Sequence, residues 1–585
     1  MMRLLQRVWL PITALISGAV DAFKNPIIPG FNPDPSIVRV GEDYFLATST
    51  FEFFPGVPIY HSRDLIQWET IGHALNRPSQ LNLRGTAPSG GIFAPTLRHV
   101  NGTFYLITTL FDIINPPDNA TRTPRSFYVT TDNIWDETTW SDPTYVDQPG
   151  FDPDLFFDPA STPDDDDDVA HLTTTFSESV ETGNFANWLT TISPRTGNSL
   201  TPSRLLHTTT VPRDQGYPLT EGSHLYRING SVYMLTADSG TEANHKSNVY
   251  RLAASSSSSS NATTTASTLA AGPWEANPHN PVLWNGRDMS LPVLSTGHAD
   301  LVEGADGRWW AVFLATRPQS PRNASGVSQL GRETFLCPVE WDEDGWPTFC
   351  GGDGVVREEV PGVLYELERP RVWRDGFDAG AGVGGFVDKG YYFLRTPYKT
   401  FVDFESRPGW LRLHGNLYTL SQRETPAAVL RKQVDFNTTF SAELTSFEPE
   451  GWRQEAGVSV YLSIHYHDEI AVTVSNVTGR RAVVTHVRSG PEATLNTTYH
   501  EDEGVALGEA PVRLFIEAKE AGYRFGYAVG EGEPKYVASV ENKWLQAYVE
   551  GWQNFVGSHF AIYNTGTNLP TLNPADFNYI QTELN

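Results

Sequence analysis

Positive charge is scarce in this 585-residue chain: 42 Lys and Arg stand against 69 Asp and Glu, leaving a formal charge of −27. So acidic a surface repels phosphate backbones and anionic lipid, which argues against nucleic acid or a membrane surface as partner. Cysteine is nearly missing as well. Cys337 and Cys350 are the only two, too few for a thiolate metal site. They flank Glu340-Trp341-Asp342-Glu343-Asp344-Gly345-Trp346, which reads as a hairpin, so an oxidising compartment predicts a disulfide across it. Beyond the N-terminus no apolar run is long enough to cross a bilayer, and few segments carry a helical period, which disfavours a helical core.

What the chain does have begins with a leader. Arg3 and Arg7 precede an apolar run, and Val20-Asp21-Ala22 offers small or β-branched residues where a signal peptidase reads, predicting a signal peptide over 1–22 and a secreted protein. Asn-X-Ser/Thr acceptors at Asn101, Asn119, Asn229, Asn261, Asn323, Asn437, Asn476 and Asn496 fit a glycosylated extracellular product. Aromatic residues make up 12% of the chain, a share that suits stacking on sugar rings and equally suits ordinary cores.

One pattern then recurs at irregular spacing: a polar or glycine turn, an aromatic-rich alternating strand, a second strand and a tryptophan. It occurs at Gly41-Glu42-Asp43-Tyr44-Phe45-Leu46, at Asn101-Gly102-Thr103-Phe104-Tyr105-Leu106, in degraded form at Asp168-Val169-Ala170-His171-Leu172, at Asn229-Gly230-Ser231-Val232-Tyr233-Met234 and at Asp306-Gly307-Arg308-Trp309-Trp310. Repeated multi-stranded units with such punctuation predict a five-bladed β-propeller over 23–355. A linker over 356–374 and an all-β, concanavalin-like sandwich over 375–585 follow, from alternating strands such as Trp410-Leu411-Arg412-Leu413-His414. The acidic run 164–168 and the serine tract 255–260 read as solvated loops.

A propeller brings the inner strands of successive blades around one axis, so acids remote in sequence can converge. Three acidic motifs stand at such strands: Asn32-Pro33-Asp34-Pro35-Ser36, Gly150-Phe151-Asp152-Pro153-Asp154 and Thr220-Glu221-Gly222-Ser223-His224. Each alone reads as a turn or surface feature. Together, one per blade, they match what glycoside hydrolysis requires, a general acid and a second carboxylate.

These motifs, with Thr50-Phe51-Glu52-Phe53-Phe54-Pro55-Gly56, Ser89-Gly90-Gly91-Ile92-Phe93-Ala94-Pro95, Gly297-His298-Ala299 and Gly331-Arg332-Glu333-Thr334, resemble glycoside hydrolase family 43, in particular its β-xylosidase and α-L-arabinofuranosidase members. The resemblance implies an inverting mechanism with Asp34 as general base, Glu221 as general acid and Asp152 tuning that acid. It implies that Phe53, Phe93 and Arg332 contact substrate, and that His298 lines the central channel, where some relatives hold a calcium ion. No cofactor is required by it. Xylo-oligosaccharides or arabinoxylan are the implied substrates, xylose being favoured as the sugar released. Phe53 and Phe93 replace tryptophan of the family, and Thr96 replaces an aspartate. From the sandwich, Asn554-Phe555-Val556-Gly557-Ser558-His559-Phe560 is expected to send Phe555 or His559 into the site mouth. A retaining fructosidase of the invertase kind is disfavoured because its Asn-Asp-Pro-Asn-Gly and Glu-Cys motifs are missing. A non-catalytic carbohydrate-binding propeller is disfavoured because all three acids are present.

Overall fold

The structure, a computed structural model, describes residues 22–112, 123–158, 169–179, 183–253 except 213 and 215, 265–319, 328–361, 370–377, 386, 388–489, 494–501, 510–545, 548–549 and 552–585. Residues 1–21 of the leader over 1–22, the loops 164–168 and 255–260, and Asn119, Asn261 and Asn323 lie outside the described residues.

Five sheets of four consecutive antiparallel strands, the second with one short extra strand, form the five blades. Their innermost strands are Ser36–Val40, Thr96–Val100, Phe151–Phe156, Thr220–Ile228 and Leu294–Glu303. Blade-to-blade cores are apolar, as between Phe45, Leu97 and Phe104 or Val249, Leu301 and Phe335; each fully buried side chain of this kind contributes about 1.5–3 kcal/mol. The chain's N-terminal stretch fastens the last blade to the first. Ala22–Lys24 pairs with Glu359–Pro361, Asn32 N–H donates to Arg332 O at 2.9 Å, and Thr334 Oγ1 donates to Asn32 O at 2.7 Å. That clasp seats Asp34 beside Arg332.

The C-terminal half folds as two large stacked antiparallel sheets sharing one core that includes Phe440, Val458, Ile470, Leu514 and Phe560. The sandwich is not independent of the propeller. Phe53–Phe54, from the first blade, adds itself as an edge strand to one sandwich sheet, with Phe53 opposite Leu394 and Phe54 opposite Phe393. A second seam is made where Ser558 N–H donates to Gln329 O at 2.8 Å. There Gly557 packs so tightly that an added Cβ would lie 2.3 Å from Leu330 O, a close approach only glycine permits.

One expectation is corrected. Cys337 and Cys350 are free thiols, not a disulfide. They adjoin one another inside the last blade, where burial first and the neighbouring Cys337 second push the Cys350 thiol well up and keep it protonated.

Candidate active site

The three acids are positioned by local backbone features. Asp34, Asp152 and His298 adopt φ of 55°, 50° and 54°, and Gly222 follows at 54°. For a non-glycine residue this left-handed conformation is strained, and it persists where surrounding structure enforces it. The inner-strand pairing slips between Phe151 and Asp154, between Glu221 and His224, and between Gly297 and Asp300. Such bulges bend the strand and re-aim side chains. Here they turn an acid or imidazole towards one end of the propeller in blade after blade. At Gly222 an added Cβ would meet the His298 ring at 2.8 Å, so glycine beside Glu221 lets the fifth blade approach.

Asp34, Asp152, Glu221, His298, Arg332, Phe93 and Phe555 all line one cavity of 720 Å³. Both Asp34 oxygens accept hydrogen bonds, from Arg332 Nη1 at 2.9 Å and Ser49 Oγ at 2.5 Å, and His298 Nδ1 stands 4.0 Å away. Burial, then the Asp34 charge, push the Asp152 carboxyl well up, against the pull of Arg332 and an Ala94 N–H. Burial, then Asp152 and Asp34, push Glu221 up in the same way, with Arg332 opposing and Glu242 adding to the rise. The arrangement therefore places an acid that keeps its proton across a cavity from a carboxylate bound by a cation.

The opposite wall is aromatic. Phe93 stacks on Phe111 at 4.9 Å between centroids, Phe51 lies 5.0 Å from Phe93 and 5.8 Å from Phe555, and Phe151 meets Phe185 edge-on. Phe555 is therefore the sandwich residue that reaches the cavity, tied to the propeller through its N–H to Ser89 Oγ at 2.9 Å. His559 stays in the seam.

Phe53 requires correction. It is 1% exposed, does not line the cavity, and stacks on His559 at 4.1 Å. The reason is the backbone at Phe51, whose φ of 49° ends the turn so that Phe51 faces the cavity while Phe53 enters the sandwich edge. Phe51 stood in the same motif and carried no distinguishing signal. Glu242, Thr241 and His245, which line the cavity after the fourth blade's second strand, were also not singled out; their segment is an ordinary polar turn in sequence.

The residues below His298 do not suit a channel calcium ion. Calcium takes six to eight oxygen ligands at about 2.3–2.6 Å, whereas the axis beside His298 holds the His224 ring, 6.3 Å from that of His298, and the Arg98 guanidinium, which donates to His224 Nδ1 at 3.2 Å and already pairs with the Asp154 and Asp300 carboxylates at 2.8 and 3.2 Å.

Residues 23–347 match the model of glycosyl hydrolases family 43, and 383–583 match the beta xylosidase C-terminal concanavalin A-like domain. A non-reducing end alpha-L-arabinofuranosidase of Bacteroides ovatus is 35% identical over 97% of this chain and 96% of its own. A beta-xylosidase of Bacillus subtilis is 30% identical over 95% and 98%. The crystal structure of a xylan beta-1,4-xylosidase from Bacillus halodurans superposes with a TM-score of 0.79 at 31% identity, covering 96% of this chain and 100% of that one. With its five blades, its concanavalin-like sandwich and a family match across more than half its length, the chain belongs to glycosyl hydrolase family 43 and is a glycoside hydrolase.

Proposed function

We propose that this enzyme removes a terminal pentose from xylan-derived chains with inversion at the anomeric carbon, acting as a β-xylosidase. The observation that carries the reading is the contrast across one cavity between Asp34, bound by Arg332 and Ser49, and Glu221, whose proton is retained through burial and the neighbouring carboxylates. In this mechanism Asp34 takes a proton from water as its oxygen attacks the anomeric carbon. Glu221 gives its proton to the departing glycosidic oxygen. Asp152 works on Glu221 by like-charge repulsion, and Arg332 orients Asp34 and the sugar hydroxyls. An inverting pair needs roughly 6.5–9.5 Å between carboxyls so that water fits, and the 720 Å³ cavity has room for both sugar and water. Phe51, Phe93 and Phe555 supply the stacking wall.

A second reading, release of α-L-arabinofuranose from arabinoxylan, is favoured by the 35% identical relative bearing that activity in its name. Rates on aryl β-xyloside against aryl α-L-arabinofuranoside decide between them. NMR of the first-formed sugar tests the stereochemistry: α-xylose from a β-xyloside is expected, and β-xylose formed first overturns the inverting assignment. We also propose that the protein is secreted and glycosylated. The leader supports this, as does the exposure of all the acceptors among the described residues, Asn101, Asn229, Asn437, Asn476 and Asn496. A mass shift on deglycosylation of the secreted protein would bear on it.

A further inference from the structure

Two residues beyond each strained position, the inner strands turn a second ring of side chains onto the propeller axis: Ser36, Asp154, His224 and Asp300 follow Asp34, Asp152, Gly222 and His298. The period-two alternation of a strand makes this ring the floor beneath the first. Arg98, from the second blade, enters it. Its Nη2 lies 2.8 Å from Asp154 Oδ1 and its Nη1 lies 3.2 Å from Asp300 Oδ2, and Nη2 also reaches His224 Nδ1 at 3.2 Å. Both aspartate side chains are completely buried, and the Arg98 side chain is 16% exposed.

Every blade is represented around this guanidinium. Asp300 Oδ2 accepts from Ser36 Oγ at 2.7 Å and Ile37 N–H at 3.0 Å. Asp300 Oδ1 accepts from Tyr226 O–H at 2.5 Å and Leu301 N–H at 2.9 Å. Asp154 Oδ2 accepts from Leu225 N–H at 3.1 Å. Three of the four carboxylate oxygens are thus engaged by N–H and O–H donors, the fourth, Asp154 Oδ1, has no hydrogen bond and faces Arg98 Nη2 as an ion pair, and a unit positive charge already lies between the two acids. A divalent cation added there would meet that charge at close range in a weakly screened interior. Arginine suits the position because its planar fork bridges two acceptors at once, and it stays charged when buried.

We propose that the Arg98 guanidinium is the permanent cation of this propeller's axis, standing where a channel metal ion would otherwise be held, so that the enzyme folds and works without one. The purified enzyme, dialysed against EDTA, should carry no stoichiometric metal, hydrolyse substrate at an unchanged rate and show no change in Tm when calcium is added. Arg98→Ala uncovers two buried carboxylates and should lower Tm by about 10 °C, from the cost of unpairing buried ions in a domain of this size. Guanidinium at millimolar concentration should raise the Tm of that variant and leave the wild type unmoved. Should Arg98→Ala fail to fold, Arg98→Lys, which keeps the charge and loses the fork, should show a smaller drop. Loss of wild-type Tm in EDTA with recovery on calcium overturns the proposal, as does an Arg98→Ala protein with wild-type Tm. Tm and metal content are read without substrate, so these outcomes do not depend on which sugar the enzyme releases.

Discussion

Two rings of polar side chains lie one above the other in this propeller, two residues apart on the same strands, and their electrostatics are opposite. In the upper ring Asp152 is held well above the ordinary carboxyl range by burial and the Asp34 charge, and Glu221 by burial and the charges of Asp152 and Asp34. In the lower ring Asp300 is no less buried, yet Arg98 and His224 outweigh desolvation and bring it down to about 2. Burial alone therefore does not decide protonation; the balance of neighbouring charge does. The upper ring gathers Asp34, Asp152, Glu221 and Glu242 around Arg332, a surplus of acid that suits proton donation. The lower ring sets two aspartates against one arginine, hydrogen-bonds three of their four oxygens, and serves as a fixed floor.

The largest effects should come from the upper ring. Asp34→Asn and Glu221→Gln should each cut kcat on xylobiose by about 10²–10⁴-fold. On an aryl glycoside, whose leaving group needs little protonation, Glu221→Gln should recover much of its rate and Asp34→Asn should not; equal losses on both substrates would sink the acid assignment. Glu221→Gln should not lower Tm, because it relieves a crowd of like charges. In the lower ring the pattern reverses: Asp300→Asn should leave kcat near wild type and cost about 3–5 kcal/mol of stability by breaking a buried pair, measured by thermal unfolding beside turnover. A rate loss without a stability loss there would erase the distinction.

Smaller effects separate wall from seam. Phe51→Ala should raise KM with a modest stability change, whereas Phe53→Ala should lower Tm through a cavity at the sandwich edge worth about 3–5 kcal/mol and leave KM unchanged. The smallest effect concerns a half-buried charge with no carboxylate partner among the described residues. Lys432 Nζ contacts Asn32 Oδ1 at 2.7 Å and Tyr60 O–H at 3.4 Å, and burial lowers it from 10.5 to about 7. Between those values the unfolded chain binds the extra proton, so this group's contribution to stability rises with pH over that window. Lys432→Met should flatten that part of the Tm-against-pH curve; an unchanged slope would show that some acid pairs with Lys432 after all. Activity should fall at alkaline pH as Glu221 loses its proton, and the acid-deficient Glu221→Gln variant should lack that limb.

Much of this was legible in the chain itself. Turn, aromatic strand and tryptophan recur often enough to count the blades, because each blade must bury the same kind of face. The Asp-Pro motifs at Asp34 and Asp152 mark the starts of inner strands, but their left-handed φ of 55° and 50° was not legible there, since proline biases the residue before it towards extended geometry. The three acids, Arg332, His298 and Phe93 could be named from their motifs, and the geometry brings them to one cavity. What sequence did not disclose were outcomes of long-range contact. Phe51 and Phe53 are equally aromatic, and only the φ of Phe51 and the unpaired edge of a sandwich strand more than 300 residues away, at Leu394, sort them to opposite fates. Phe555 and His559 are divided in the same way, by which of them the seam buries. Arg98 looks like any solvated arginine on a strand until Asp154 and Asp300 arrive from two other blades. Sequence by itself determined the acids, the blade count and the chemistry they permit, because these rest on residue type and local backbone preference. Tertiary structure alone decided which aromatic faces the sugar and which charge fills the axis, because those depend on neighbours the chain brings together only by closing the propeller and docking the sandwich against it.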